Sequence, residues 1–80
     1  MSLAIRSATP QDSAALARLA ALDSRATLRG RALVADLNGN PVAAIGLATG
    51  AVVSDPYMPT INAVRALRER RYRLLRQAAA

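Results

Sequence analysis

The sequence lacks cysteine, histidine, phenylalanine and tryptophan, and the first two absences exclude whole classes of function. Without cysteine and histidine the chain can form no disulfide, carries no thiol redox chemistry and lacks the side chains that most often bind transition metals. The same two residue types supply most nucleophiles and general bases that work near neutral pH. We therefore expect a protein that is not an enzyme, with no catalytic, cofactor-binding or metal-binding residues and no bound cofactor.

The scarcity of bulky side chains limits the core that this chain can build. Of its 80 residues nineteen are Ala, and Tyr57 and Tyr72 are its only aromatic residues. A core below about 80 residues seldom contributes more than roughly 3–5 kcal/mol, and small domains compensate with disulfides, metals or oligomerisation. Only oligomerisation is open to this composition. We therefore expect one domain, residues 1–80, that forms a homodimer or binds another protein.

No segment has the pattern of a signal peptide or of a transmembrane helix. The longest apolar run, residues 42–53, is interrupted by Gly46 and Gly50 and ends at Asp55. It falls short of the roughly 18 apolar residues that a membrane span needs. The N-terminus also has no basic region followed by a long apolar stretch. We therefore expect no transmembrane segment and a cytoplasmic location.

Periodicity and turn residues predict the element order β-α-β-β-β-α, an α+β fold with two helices. Residues 3–7 alternate weakly, as in a first strand. The run Thr9-Pro10-Gln11-Asp12 is typical of a helix start, with Pro at the first helical position and an acidic residue that completes a capping box. The apolar pattern of that helix ends near Asp23.

Three short strands should follow as an antiparallel meander. Asn38-Gly39 is the strongest hairpin signal, because both residues tolerate the positive φ of a type I′ turn. It separates strands at 31–37 and 41–48, and a second turn at Thr49-Gly50 leads to a strand at 51–54. Thr60 can then cap a last helix that ends near Gln77.

The last helix, residues 60–80, carries most of the positive charge. Between Arg65 and Arg76 there are six Arg and one Glu, a net charge of +5 in a chain of +6. A helical wheel gathers Ile61 with four other apolar residues on one side, with two arginines inside the same stripe. Burying a guanidinium is costly unless it is paired, so the second half of the helix should project or pack on a partner that bears carboxylates. The candidate interaction residues are Arg65, Arg68, Arg71, Tyr72, Leu74 and Leu75.

Three interpretations of this helix remain open. Its arginines can be a solvated helix end that favours the helix dipole. They can form a protein interface, homodimeric or with an acidic partner. They can also contact nucleic acid or an anionic membrane. The nucleic-acid interpretation is the weaker one, because Tyr72 is the only candidate for base stacking.

Among the few carboxylates, Asp55 draws notice because it follows the fourth strand and stands beside Tyr57. We name Asp55 and Tyr57 as candidates for lining a cleft. The competing interpretation is structural, because an Asp-Pro sequence is an ordinary end of a strand. No pair of acidic residues has a spacing that suggests acid–base work, and the four glycines form no nucleotide-binding pattern.

The run Ile5-Arg6-Ser7-Ala8-Thr9-Pro10-Gln11-Asp12 resembles the start of the GNAT superfamily of N-acetyltransferases, which often reads I-R-x-A-x-x-x-D before a first helix. Residues 33–46 resemble the next hairpin of that superfamily. The resemblance covers roughly residues 3–55 and implies half of such a domain, residues 1–59, followed by the Arg-rich helix. The whole chain is similar to short proteins of high-GC bacteria that match only this half.

The resemblance departs from the superfamily at the cofactor. There the fourth strand leads into a loop of the type Q/R-x-x-G-x-G/A, whose amides hold the pyrophosphate of acetyl-CoA. The equivalent run here, residues 55–60, has no glycine and includes Pro56 and Pro59, which lack an amide hydrogen. The strands that complete the cofactor cleft are also missing. What the resemblance implies is a truncated, non-catalytic binding or protein-interaction domain that self-associates.

Two other functions stay open at this point. Dimerisation could form a composite or residual acyl-CoA-binding acetyltransferase with a cleft lined by Asp55 and Tyr57. The Arg-rich helix could instead be a module that docks on nucleic acid or on a larger complex.

Overall fold

The four strands and two helices follow one another in the expected order, which confirms the α+β fold. A computed structural model describes residues 2–79. The first helix begins later than expected, because Pro10–Asp12 form a short 3₁₀ turn ahead of it. The elements are β1 (Leu3–Ser7), α1 (Ser13–Leu22), β2 (Ala32–Leu37), β3 (Asn40–Gly46), β4 (Val52–Ser54) and α2 (Ile61–Ala79).

The strands form one sheet in the order β1-β2-β3-β4, with every neighbouring pair antiparallel. The expected meander of β2, β3 and β4 is confirmed, and β1 pairs with the outer side of β2. The register between β2 and β3 shifts between Ala35 and Asp36. This order leaves β1 and β4 as the two edges of the sheet.

The turn between β2 and β3 has the backbone that its sequence predicts. Asn38 and Gly39 have φ angles of +52° and +85°, as the two central residues of a type I′ turn require. The turn also holds the start of β1. The N–H of Asn38 donates to the carbonyl of Ser2 at 2.7 Å, and the N–H of Ser2 donates to Asn38 Oδ1 at 2.9 Å.

Each face of the sheet packs against one helix, because side chains alternate between faces along every strand. Helix α1 packs mainly on β3 and β4, whereas α2 packs mainly on β1, β2 and β3. On the α1 side, Leu19 and Ala20 pack against Val34, Ala44 and Val53. On the α2 side, the buried residues are Leu33, Ala35, Leu37, Val42, Ala43, Ile45, Ala63 and Leu67.

The prediction that Ile61 belongs to the apolar side of α2 that packs on the sheet was wrong. That side chain is 77% exposed, whereas Ala63 and Leu67 are buried against the sheet. Residues four apart share a helix face, but Ile61 lies about 120° around the helix from Leu67. The sheet therefore receives the small side chain of Ala63, and the bulkier Ile61 remains in solvent.

Where α1 does not cover the sheet, a charged network holds β1, β2 and the start of α1 together. Arg6 forms a bidentate pair with Asp12, with Nη1–Oδ2 at 2.8 Å and Nη2–Oδ1 at 2.9 Å. Its Nε donates to Asp36 Oδ2 at 2.7 Å. Asp12 Oδ2 also accepts the N–H of Thr9 at 2.7 Å. The side chain of Asp12 thus satisfies the helix start and ties it to two strands.

These contacts shift the pKa values of both partners. The guanidinium of Arg6, followed by the N–H of Thr9, holds the pKa of the Asp12 carboxyl well below its usual range. The hydrogen bonds to Asp12 and Asp36 raise the pKa of Arg6 above its usual value. Asp12 therefore remains ionised in the folded chain at a pH where an unfolded aspartate is protonated.

Asp12→Asn should remove a pH-dependent part of the stability. A carboxyl whose pKa is lowered on folding stabilises fully above its unfolded pKa of about 3.9, and the contribution is lost as the pH falls below that value. We expect Asp12→Asn to cost about 1–3 kcal/mol at neutral pH and to flatten the decline below about pH 4. Urea unfolding across this pH range measures both effects. Glu69→Gln, at an exposed carboxylate without an ion pair within residues 2–79, is the control. Parallel pH curves for wild type and Asp12→Asn would contradict the assignment.

Gly39→Val should destabilise the chain through backbone strain alone. A Cβ at Gly39 would meet no atom within 4 Å, so no clash contributes, but a β-branched residue resists positive φ. We expect a loss of about 1–3 kcal/mol, measured by urea unfolding. Gly39→Asn is the matched control, because Asn tolerates the left-handed region, and it should lose much less. Equal stability of Gly39→Val and wild type would refute the role of this turn.

Candidate interaction surface

The edge strand β4 is covered by α1 on one face and left largely uncovered on the other. Val52 pairs with Ile45 and packs at the margin of the core beneath α2, where it is only half-buried. Because α2 lies over the first three strands, the α2-facing side of β4 borders an open space beside the helix. An uncovered edge strand next to a helix flank is a natural place for another chain to bind.

Two grooves meet along this flank. The first, of about 380 Å³, is lined by Val52 and Ser54 of β4, by Val64 and Arg68 of α2 and by the ion pair of Asp23 and Arg25. Val64 and Arg68 also line the second, of about 670 Å³, which runs along α2. The shared residues make the two grooves one continuous surface. We call it the β4–α2 surface; its principal residues are Val52, Ser54, Val64, Arg65, Arg68 and Tyr72.

Of the arginines singled out from the sequence, Arg65 and Arg68 lie on the β4–α2 surface and are exposed. Within residues 2–79 neither has a carboxylate oxygen within 4.0 Å. Tyr72 lies on the same surface with 60% of its area exposed, and the guanidinium of Arg76 sits 5.7 Å from its ring centroid. This surface therefore combines apolar side chains with two arginines that have no ion pair in the described range, and the Asp23–Arg25 pair and Glu69 border it.

Arg71 points inward and has a structural role. Its Nε donates to the carbonyl of Leu47 at 2.9 Å, and its Nη2 lies 3.5 Å from the carbonyl of Ala48. A Cβ at Gly50, where φ is +76°, would lie 3.2 Å from Arg71 Cζ. The helix thus buries part of a guanidinium within its apolar stripe by pairing it with carbonyl oxygens of the β3–β4 turn. No carboxylate is involved in this pairing.

Leu74 and Leu75 form a separate apolar patch at the far end of α2. They are 38% and 43% exposed. With Leu47 and Ala48 of the β3–β4 turn they line a groove of about 460 Å³, which Arg31 borders. We call these residues the Leu74–Leu75 patch. It lies beyond the last residue of α2 that the sheet buries, Leu67.

The structure does not bring Asp55 and Tyr57 together as a cleft. Asp55 Oδ1 accepts the N–H of Tyr57 at 2.8 Å, and Asp55 Oδ2 lies 3.9 Å from Nη1 of Arg18. The ring of Tyr57 is 82% exposed. The carboxylate therefore stabilises the turn after β4, which is the structural role that an Asp-Pro sequence suggests.

Within residues 2–79 most carboxylates are already engaged with arginines outside α2. The chain has five acidic residues, and Glu69 is the one without a salt bridge in the part of the chain that the structure describes. The arginines of α2 consequently have no carboxylate partner among residues 2–79. The pairs are Asp12 and Asp36 with Arg6, Asp23 with Arg25, and Asp55 with Arg18.

The described residues 2–79 contain no cluster of acidic side chains able to hold a metal ion. None of the helices in that range is both long enough and apolar enough to cross a membrane. The distinctive features of the surface are thus the strand edge, the unpaired arginines and the exposed leucines.

No family model, curated protein or solved structure matches this chain. The resemblance of residues 3–55 to N-acetyltransferases therefore stays a hypothesis that rests on the sequence motifs.

Sequence reasoning named none of Val52, Ser54 and Val64 as an interaction residue, since Val and Ser are ordinary residues in a strand or a helix. Their importance comes from the position of α2, which leaves β4 uncovered. The available signal was the place of strand 51–54 at the end of the meander, which predicts an apolar sheet edge open to another strand or helix.

The loop after β4 should not hold acetyl-CoA. The N–H of Tyr57 donates to Asp55 Oδ1 at 2.8 Å and the N–H of Met58 donates to the carbonyl of Asp55 at 3.3 Å. Pro56 and Pro59 have no N–H, so this loop has few amides left for a pyrophosphate. We expect isothermal titration to give no dissociation constant below about 1 mM, with CoA as the control for nonspecific attraction to the arginines. Micromolar binding of acetyl-CoA would revive the composite acetyltransferase.

Proposed function

We propose that this chain is a non-catalytic protein-interaction domain that self-associates, and that it acts in the cytoplasm. The observation that carries this proposal is the Leu74–Leu75 patch. Two leucines beside Leu47 and Ala48 leave a contiguous apolar area in water. Burying such area stabilises a complex by about 25 cal/mol per Å².

A second copy of the chain suits this patch for a reason of charge. The patch is apolar apart from Arg31 at its border. A symmetric contact can therefore join leucine to leucine without requiring carboxylates, which the chain has already used elsewhere. The small core supports the same proposal, since association would add apolar burial that an alanine-rich monomer lacks.

Self-association should raise the melting temperature with protein concentration, because only the folded chain associates. Sedimentation equilibrium should give masses above the monomer value of 8.4 kDa. Leu75→Asp or Leu74→Asp should raise the dissociation constant by about tenfold or more and make the melt independent of concentration. Leu22→Asp, at a leucine of α1 that is 36% exposed, is the matched control and should leave association unchanged.

A monomer at high micromolar concentration with a concentration-independent melt would refute self-association. A concentration-dependent melt that Leu74→Asp and Leu75→Asp leave intact would place the contact on another surface.

A further inference from the structure

We propose that the β4–α2 surface binds an extended, acidic segment of a different protein, which adds a fifth strand to the sheet along β4. The proposal rests on the proposed role of this chain as an interaction domain, but it uses a surface separate from the Leu74–Leu75 patch. The outward-facing backbone groups of β4, the apolar side chains along α2 and the arginines without an ion pair within residues 2–79 each specify one property of the bound segment.

The backbone of β4 offers hydrogen bonds to an added strand. The carbonyl of Ala51 accepts from Gly46, and the N–H of Asp55 donates to the carbonyl of Val42, both at 2.9 Å. Successive residues of a strand point their N–H and C=O groups to opposite sides. Since Ala51 and Asp55 bond to β3, the N–H and C=O groups of Val52 and Ser54 point away from β3. The N–H of Ser54 donates to Asp23 Oδ2 at 3.1 Å. The N–H and C=O of Val52 and the C=O of Ser54 remain for the incoming strand.

The side of the surface along α2 favours apolar side chains, whereas the lining next to β4 is largely polar. A strand placed beside β4 would direct alternate side chains toward the flank of α2. There they would lie beside Val52 and Val64, which line the same groove, and would approach the exposed Ile61. Covering these side chains removes apolar area from water. The bound segment should therefore alternate apolar residues with others.

Charge selects carboxylates for the bound segment and disfavours a second copy of this chain. Arg65 and Arg68 have no ion pair within residues 2–79, and the chain carries a net charge of +6. A second copy would bring the same arginines to this edge, and Glu69, the acidic side chain without a salt bridge within the described range, lies along the same groove. An acidic segment is attracted by the whole field and can pair with Arg68.

The surface also fits a peptide better than a nucleic acid. A phosphate backbone could use the arginines, but it would leave the N–H and C=O of Val52 without the reciprocal partners that a peptide strand provides. Tyr72, the aromatic residue that lines these grooves, already has the guanidinium of Arg76 5.7 Å from its ring centroid.

The test uses fluorescence anisotropy of the full chain with three labelled probes. The first is a short capped peptide that alternates Val and Glu, the second has Gln in place of every Glu, and the third is a single-stranded oligouridylate. We expect the acidic peptide to bind about tenfold or more tightly than the Gln peptide, with an affinity that falls as salt rises.

Matched variants assign the binding to this surface. Arg68→Glu should weaken the acidic peptide by about tenfold, whereas Arg73→Glu, the same charge change on an exposed residue outside both grooves, should change it much less. Val52→Pro removes an outward N–H without removing a bond to β3, so it should abolish binding while the chain stays folded. Circular dichroism checks that fold.

A gain of binding gives a test that misfolding cannot imitate. Asp23→Ala frees the N–H of Ser54 and removes a negative charge from the edge, so the acidic peptide should bind several-fold more tightly. Removing the Asp23 carboxylate from the end of α1 should not unfold the chain, since an acidic residue is unfavourable near a helix C-terminus.

Equal affinity for the Glu and Gln peptides, or equal effects of Arg68→Glu and Arg73→Glu, would overturn the proposal. So would binding of oligouridylate in preference to the peptide. The Leu75→Asp variant retains the β4–α2 surface, because Leu75 lies outside both of its grooves. Peptide binding measured with this variant therefore tests the present proposal separately from self-association.

Discussion

The packing of α2 on an alanine-rich sheet is the interaction on which the other features depend. Ala63 and Leu67 enter a face whose central residues include Ala35 and Ala43. Because alanines occur both on the helix and on the sheet, only a narrow stripe of α2 is buried in this contact. The helix consequently lies over three strands and leaves the fourth beside an open flank. The exposed leucines and the unpaired arginines follow from the same geometry, because they occupy the rest of the helix circumference.

The arginines of this chain fall into distinct environments although they are chemically identical. Arg6 is held between two carboxylates and joins strands to a helix. Arg71 is paired with carbonyl oxygens and closes a turn. Arg65 and Arg68 are exposed beside the strand edge and have no ion pair with any residue from 2 to 79. The number of arginines that can bind a partner is therefore smaller than the total, because the paired arginines do not count toward it. The remaining cations concentrate on one helix, which is the basis for expecting an acidic partner.

Local signals in the sequence predicted the elements of the fold well. The turn at Asn38-Gly39 and the proline-containing segments gave the strand and helix order, because turn chemistry acts within a few residues. The rotation of α2 was not predictable from the apolar count, since Ala63 is a weak signal and Ile61 a strong one. The pairing of Arg6 with Asp36 and of Arg71 with Leu47 joins residues that are distant in sequence. Such pairings depend on strand register and helix position, which no local pattern encodes.

The contact between Arg71 and the β3–β4 turn has a consequence for how the chain matures during synthesis. Strands emerge from the ribosome before α2, so one apolar face of the newly made sheet waits in water until the helix arrives. Beyond Leu67, α2 is held to the sheet by the hydrogen bonds of Arg71 with the carbonyl groups of Leu47 and Ala48. Until the helix packs, the nascent meander is the species most exposed to chaperones and to unwanted strand pairing. The chain can therefore cover this face of its sheet only after residues 61–71 have been synthesised.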